Sequence, residues 1–271
     1  MREPDPTPTP EPSAHPRAIG IDVGGTGIKA AVVDLVTGEL TSPRIREKTP
    51  QPATPEAVIE TVGLLVDRLA VGGHLHPTMP AGAGLPGVVK GGRLVTAANI
   101  DKAWVDFAAQ EALEARLGRP VRLVNDADAA GLAEAAFGAA KNVPGTVLLL
   151  TIGTGIGSAI LVDGRLLEST EFGHILYRRK SAELWISGAA RVRRAIGWRR
   201  WASEFSEYLA LVEAWFWPDL IILGGGVSKE YAKYGKWLKS RAPIVTARFL
   251  NTSGIIGAAL APGGHEEAPA D

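Results

Sequence analysis

The chain has 271 residues, 46% of them apolar, enough to bury a sizeable core in one or two domains. Its 29 basic residues balance 29 acidic ones, so no global charge points to nucleic acid or a membrane surface, and any polyanion site has to be local. The lack of cysteine excludes disulfides and thiolate metal ligands, and no apolar run reaches the roughly 18 residues of a membrane span.

Residues 1–16 hold six prolines and no apolar stretch of the kind a signal peptide needs. They read as a disordered tail on a soluble cytoplasmic protein. Residues 18–23 form a β-rich run ending in Gly24-Gly25, and a second apolar run covers 28–35. The link between them is too short for a parallel crossover, so the pair is an antiparallel hairpin. A weaker strand is expected at 40–48. Pro55 starts a helix to about Leu69, with Val58, Val62, Leu65 and Leu69 at helical spacing. A strand at 79–85 ends in the Pro86-Gly87 turn. Residues 104–117 read as a helix stopped by Gly118 and Pro120. A buried strand at 121–124 delivers Asn125-Asp126 to an alanine-rich helix reaching about Phe137.

The pattern then restarts, with a strand at 146–152, a glycine turn at 153–157 and a strand at 158–162. Residues 182–217 read as mostly helical, a buried strand at 220–223 leads into Gly224-Gly225-Gly226, and a last short helix covers 254–260. A shift of 129 positions superimposes the two hairpins, matching Gly24 with Gly153, Ala30 with Ala159, Val33 with Val162 and Asp34 with Asp163. Two related halves, 17–125 (with the helix at 254–262) and 126–253, follow as the expected domains, with a second tail at 263–271.

Three glycine turns at the ends of apolar strands suggest converging phosphate loops, since successive backbone N–H groups make a concave anion site. Each alone is equally an ordinary turn with glycine at positive φ. Thr26 adds a hydroxyl, and Asp22 stands where it can hold a Mg²⁺-bound water. In Asn125-Asp126-Ala127-Asp128, helix capping accounts for one residue of the three polar ones. A carboxylate at a strand end can accept a hydroxyl proton as its oxygen attacks phosphorus, the role assigned to Asp126. Asp128 reads as structural. Glu171 and His174 can both reach one hydroxylated ligand, with Glu183 a further acceptor, and zinc is poorly supported. Between Arg178 and Arg200, eight basic residues face only Glu183. This is a solvated helix face or a track for a long polyanion, with Arg178, Arg179, Arg191, Arg193 and Arg194 its candidates.

The stretches GIDVGGTGIK (20–29), TAANIDK (96–102), NDADAAGLAE (125–134), TIGTGIGSA (151–159), EFGH (171–174) and LGGGVS (223–228) together resemble the ROK group of sugar kinases and regulators, and within it the polyphosphate-using glucokinases. The resemblance implies an actin-like ATPase (ribonuclease H-like) α/β fold, two domains flanking the active-site cleft, and a homodimer. It implies phosphoryl transfer from inorganic polyphosphate, with ATP as a further donor, to the 6-hydroxyl of glucose, with mannose as a further acceptor and with Mg²⁺. Asp126 then matches the base, and Asn99, Asn125, Glu171, His174 and Glu183 match the sugar ligands. Asp22, Gly24, Gly25, Thr26, Lys29, Thr154, Gly155 and Gly225 match the phosphate and Mg²⁺ region. The group's zinc-binding cysteines are missing, so no zinc site is expected and His174 should meet sugar without metal. Leu176 stands where close relatives tend to carry Glu. An ATP-only hexokinase for glucose, mannose or an N-acetylated sugar is the alternative. A DNA-binding regulator is disfavoured, because 1–16 is too short and too proline-rich for the helical domain such regulators carry.

Overall fold

A computed structural model describes residues 15–97 and 100–263. The expected tails therefore lie almost wholly outside the described residues. Two five-stranded sheets share one plan. In the first, Arg17–Gly24 pairs antiparallel with Gly27–Asp34 across Gly25-Thr26, the short Ile45–Glu47 strand lies beyond, and Ala81–Leu85 and Val121–Asn125 add in parallel on the other side. In the second, Thr146–Ile152 pairs with Ile156–Val162, Arg165–Leu167 takes the outer edge, and Leu220–Gly224 and Ile244–Thr246 add in parallel. The repeat read from the sequence is thus a repeat of topology. It contains one slip: the second hairpin turns through Gly153-Thr154-Gly155, one residue longer than Gly25-Thr26. Ile21 accordingly faces Ala30, whereas Leu150 faces Ser158.

The parallel strands are buried along their length, as in Ala81–Leu85 and Leu220–Gly224, because helices cover both faces. The Ser253–Leu260 helix lies on the first sheet and against the Asp126–Phe137 helix. Gly257 permits that close approach: a Cβ there would stand 1.6 Å from the Ala129 carbonyl oxygen. The Asp126–Phe137 helix also packs on the Ile156–Val162 strand, so a single helix bridges both sheets. The Pro55–Val71 helix starts as expected, with the Thr54 side chain accepting from Ala57 N and Pro55 in its first turn.

Two helical expectations are corrected. Residues 104–117 do not form one helix. A 3₁₀ turn, Lys102–Trp104, is capped by Asp101, and the α-helix is Ala109–Leu117. Trp104 is fully buried with its indole N–H on the Ala53 carbonyl at 2.9 Å, and Asp106 takes φ 61°, which breaks the helical path. Residues 182–217 divide into Glu183–Ile186, Gly188–Arg193 and Trp198–Phe216. Ser187 is extended and caps the second piece through its hydroxyl, and Ala195 at φ 49° ends it. The expected strands also begin late or shrink, to Ala81–Leu85 and Ile45–Glu47.

Candidate active site

Asn125 ends a buried strand and caps the helix that follows. Its Oδ1 accepts from Ala127 N at 2.8 Å and Asp128 N at 3.2 Å, and its Nδ2 donates to the Gly87 carbonyl at 3.0 Å. Capping thus accounts for Asn125 and leaves Asp126 at the helix start, facing a cleft. Its Oδ1 accepts from Ala127 N at 2.8 Å. The carboxyl is exposed to the cleft yet ringed by protein. This desolvation and the charges of Asp22 and Glu171 push it up to about 7.

The cleft, about 480 Å³, is lined by both hairpin turns, through Gly24, Gly25, Thr26, Gly153, Thr154 and Gly155, and by Asn125, Asp126, Glu171, His174, Glu183 and Gly225. Of the three glycine turns only the third has positive φ, at Gly225 (74°). Among the hairpin glycines, Gly27, Gly155 and Gly157 serve space rather than backbone handedness, whereas a Cβ on Gly153 would meet nothing within 4 Å. A Cβ on Gly155 would stand 2.5 Å from Glu183 Oε2, and that same oxygen accepts from Ile156 N at 3.3 Å. Glu183 Oε1 lies 3.7 Å from His174 Nε2. Burial raises the Glu171 carboxyl, opposed by His174 and reinforced by Glu183. Asp22 and Lys29 stand behind the first turn, paired at 2.6 Å. Asn99 lies outside the described residues.

Pro86, Gly87 and Thr170, not singled out in the sequence as site residues, also line the cleft, as do Thr151, Gly157 and Ser158, which the sequence offered only as parts of the second hairpin. Thr151 and Ser158 did leave a signal: each is a polar residue interrupting an otherwise apolar strand. Ser158 fixes the loop before His174. Its hydroxyl donates to the Thr170 carbonyl at 2.9 Å and accepts from Phe172 N at 3.0 Å.

None of the five candidate arginines lines the cleft. Arg178 and Arg194 are engaged by acids just beyond the basic run. Arg194 binds Glu204 with two contacts, at 2.5 and 2.9 Å, and Arg178 meets Glu207 at 2.6 Å and Glu204 at 3.4 Å. Arg178 and Arg179, at φ 50° and 65°, form the turn between Leu176–Tyr177 and Lys180–Ser181. Arg191 stacks on Trp198 at 3.9 Å, and Arg193 donates to the Leu184 carbonyl at 2.8 Å, contacts that set no carboxylate against either guanidinium. Their helix, Gly188–Arg193, starts against the second glycine turn, with Ala189 N on the Gly153 carbonyl at 3.2 Å.

Residues 18–184 match the model of the ROK family. The chain is 46% identical, over 89% of both sequences, to a polyphosphate glucokinase of Mycobacterium tuberculosis. It is similar to the inorganic polyphosphate/ATP-glucomannokinase of an Arthrobacter species, at 46% identity and TM-score 0.87, covering 90% of this chain and 97% of that one. A ROK family glucokinase from Streptomyces griseus, solved with glucose and AMPPNP, matches at 28% identity and TM-score 0.77, over 92% of this chain and all (100%) of that one.

Proposed function

Since the chain belongs to the ROK family, with its actin-like α/β fold, we propose that it transfers a phosphoryl group from inorganic polyphosphate to the 6-hydroxyl of glucose. One observation carries the reading: a carboxylate raised towards neutrality, Asp126, opens into the same cleft as two glycine hairpins and the Glu171, His174 and Glu183 cluster.

In this reading Asp126 takes the proton of the 6-hydroxyl as that oxygen bonds to the terminal phosphorus. The bond to the rest of the chain breaks, and polyphosphate leaves one unit shorter. Backbone N–H groups of the turns at Gly24–Thr26 and Gly153–Gly155 hold the transferred group, helped by Thr26, Thr154 and Lys29. Asn99, Asn125, Glu171, His174 and Glu183 hold the sugar hydroxyls. The carboxylates of Asp22 and Asp126, close enough for one to raise the other, suit a divalent cation, and Asp22 would hold Mg²⁺ through water. Mg²⁺ would neutralise charge on the phosphates.

The lobes remain as proposed from sequence: 17–125 with 254–262, and 126–253. Polyphosphate as donor is supported by the named activity of the mycobacterial relative, and ATP as second donor, with mannose as second acceptor, by that of the Arthrobacter one. The track beyond the cleft narrows to Arg179, Arg191 and Arg193, because carboxylates occupy Arg178 and Arg194. A cytoplasmic homodimer completes the proposal.

Glucose 6-phosphate formation with long-chain polyphosphate or ATP, over a salt series, tests it. Polyphosphate should support turnover that falls as salt rises. Turnover with ATP alone, insensitive to salt, would leave the ATP-only hexokinase standing.

A further inference from the structure

The Asp126–Phe137 helix carries a second carboxylate in its first turn, Asp128, buried to 1% exposure. It does not face the reacting groups. Its Oδ2 accepts the backbone N–H of Ser169 at 2.8 Å, a contact spanning from the bridging helix to the loop after the Arg165–Leu167 strand. Ser169 has φ 66°, a left-handed conformation uncommon for a residue with a Cβ, so something must hold it there. Its hydroxyl also donates to the Val89 carbonyl at 3.3 Å, in the Val89–Lys90 strand of the N-terminal half.

Two residues later comes Glu171. On its other side Phe172 N is held by the Ser158 hydroxyl. Glu171 therefore hangs between two anchors, one on the second sheet and one on Asp128. Its charge acts on both Asp126 and Asp128. The other Asp128 oxygen, Oδ1, is buried without a protein partner, an arrangement that costs stability.

We infer that Asp128 is a positioning residue for the acceptor sugar: through Ser169 it sets where Glu171 stands relative to Asp126. One helix start would thereby fix both the base and a sugar ligand. This inference rests on the reading of Glu171 as a sugar ligand.

Steady-state kinetics on the full chain, with glucose and polyphosphate varied separately, test it. Asp128→Ala should raise the glucose KM about tenfold, as expected for loss of one buried hydrogen bond, with the polyphosphate KM within about twofold of wild type. Asp128→Asn keeps an oxygen for Ser169 N–H and should restore the glucose KM. Glu171→Gln should raise the glucose KM alone, and its effect should shrink in the Asp128→Ala background. If Asp128→Ala does not fold, Asp128→Leu, close in shape and apolar, gives the same readout. An unchanged glucose KM in the Ala or Leu variant overturns the positioning role. So does a parallel rise in both KM values, or an Asn variant as impaired as Ala. If Glu171→Gln itself leaves the glucose KM unchanged, the ligand reading of Glu171 has failed instead.

Discussion

Lys29 Nζ donates to Asp22 Oδ2 at 2.6 Å, across paired positions of the first hairpin. The ion pair thus belongs to the strand register rather than to a flexible surface contact. It bears on the chemistry because Asp22 is, after burial, the next cause that pushes Asp126 up.

The pH profile follows from that relationship. A base must be deprotonated to act, so kcat/KM should rise with pH to about 7 and level off above it. Lys29→Met leaves the Asp22 charge without its offsetting cation and should move the acidic limb to higher pH. The position of the limb is the readout, since loss of a phosphate contact lowers the whole curve. An unmoved limb would show that Asp22 and Asp126 do not communicate.

Two glycines should fail differently when changed to alanine. Gly155→Ala pushes on Glu183 Oε2, a side-chain end that can yield, so the glucose KM should rise while the melting temperature holds. Gly225→Ala places a Cβ 2.6 Å from Ile152 backbone atoms at φ 74°. Nothing there can yield cheaply, and stability should fall by about 1–3 kcal/mol. Thermal melts beside glucose kinetics separate the two.

The basic cluster should split in the same way. Arg194→Ala removes the nearest partner of the buried Glu204 carboxylate, leaving Arg178 at 3.4 Å and Arg200 at 3.3 Å, and should cost about 2 kcal/mol of stability near pH 7. Arg194 lowers the Glu204 pKa, so this contribution is present above the unfolded carboxylate range and is lost as pH falls through the lower folded value. Urea melts at pH 7 and at pH 4 should show the penalty shrinking. Arg193→Ala, by contrast, should leave stability nearly unchanged and raise the polyphosphate KM alone. Equal effects on polyphosphate and ATP would remove Arg193 from the track.

What the sequence made legible was mostly local. The hairpins, Pro55, and the strand delivering Asn125-Asp126 follow from periodicity, glycine position and capping chemistry, each acting within a few residues. What it hid was tertiary. Glu204 and Glu207 lie outside the basic run, and only the fold of Trp198–Phe216 brings them onto Arg178 and Arg194. Trp104 looked like the start of a helix because its bond to the Ala53 carbonyl spans distant chain. Ser187 looked like a tolerable helix residue, yet its hydroxyl caps a new one. In the cleft, Asp126 and Glu171 were visible as polar clusters. Thr170 was not, since its role is to hold Ser158, and Ser158 showed only as a polar break in an apolar strand, not as the anchor of the Phe172 N–H.

The central claim is that Asp126 acts as the base on a bound sugar. Asp126→Asn keeps size and the contact to Ala127 N while removing proton acceptance. Its kcat should fall by about 10²–10⁴-fold, with glucose affinity by calorimetry within about threefold of wild type. A variant that binds glucose normally and turns over at near wild-type rate would contradict the account.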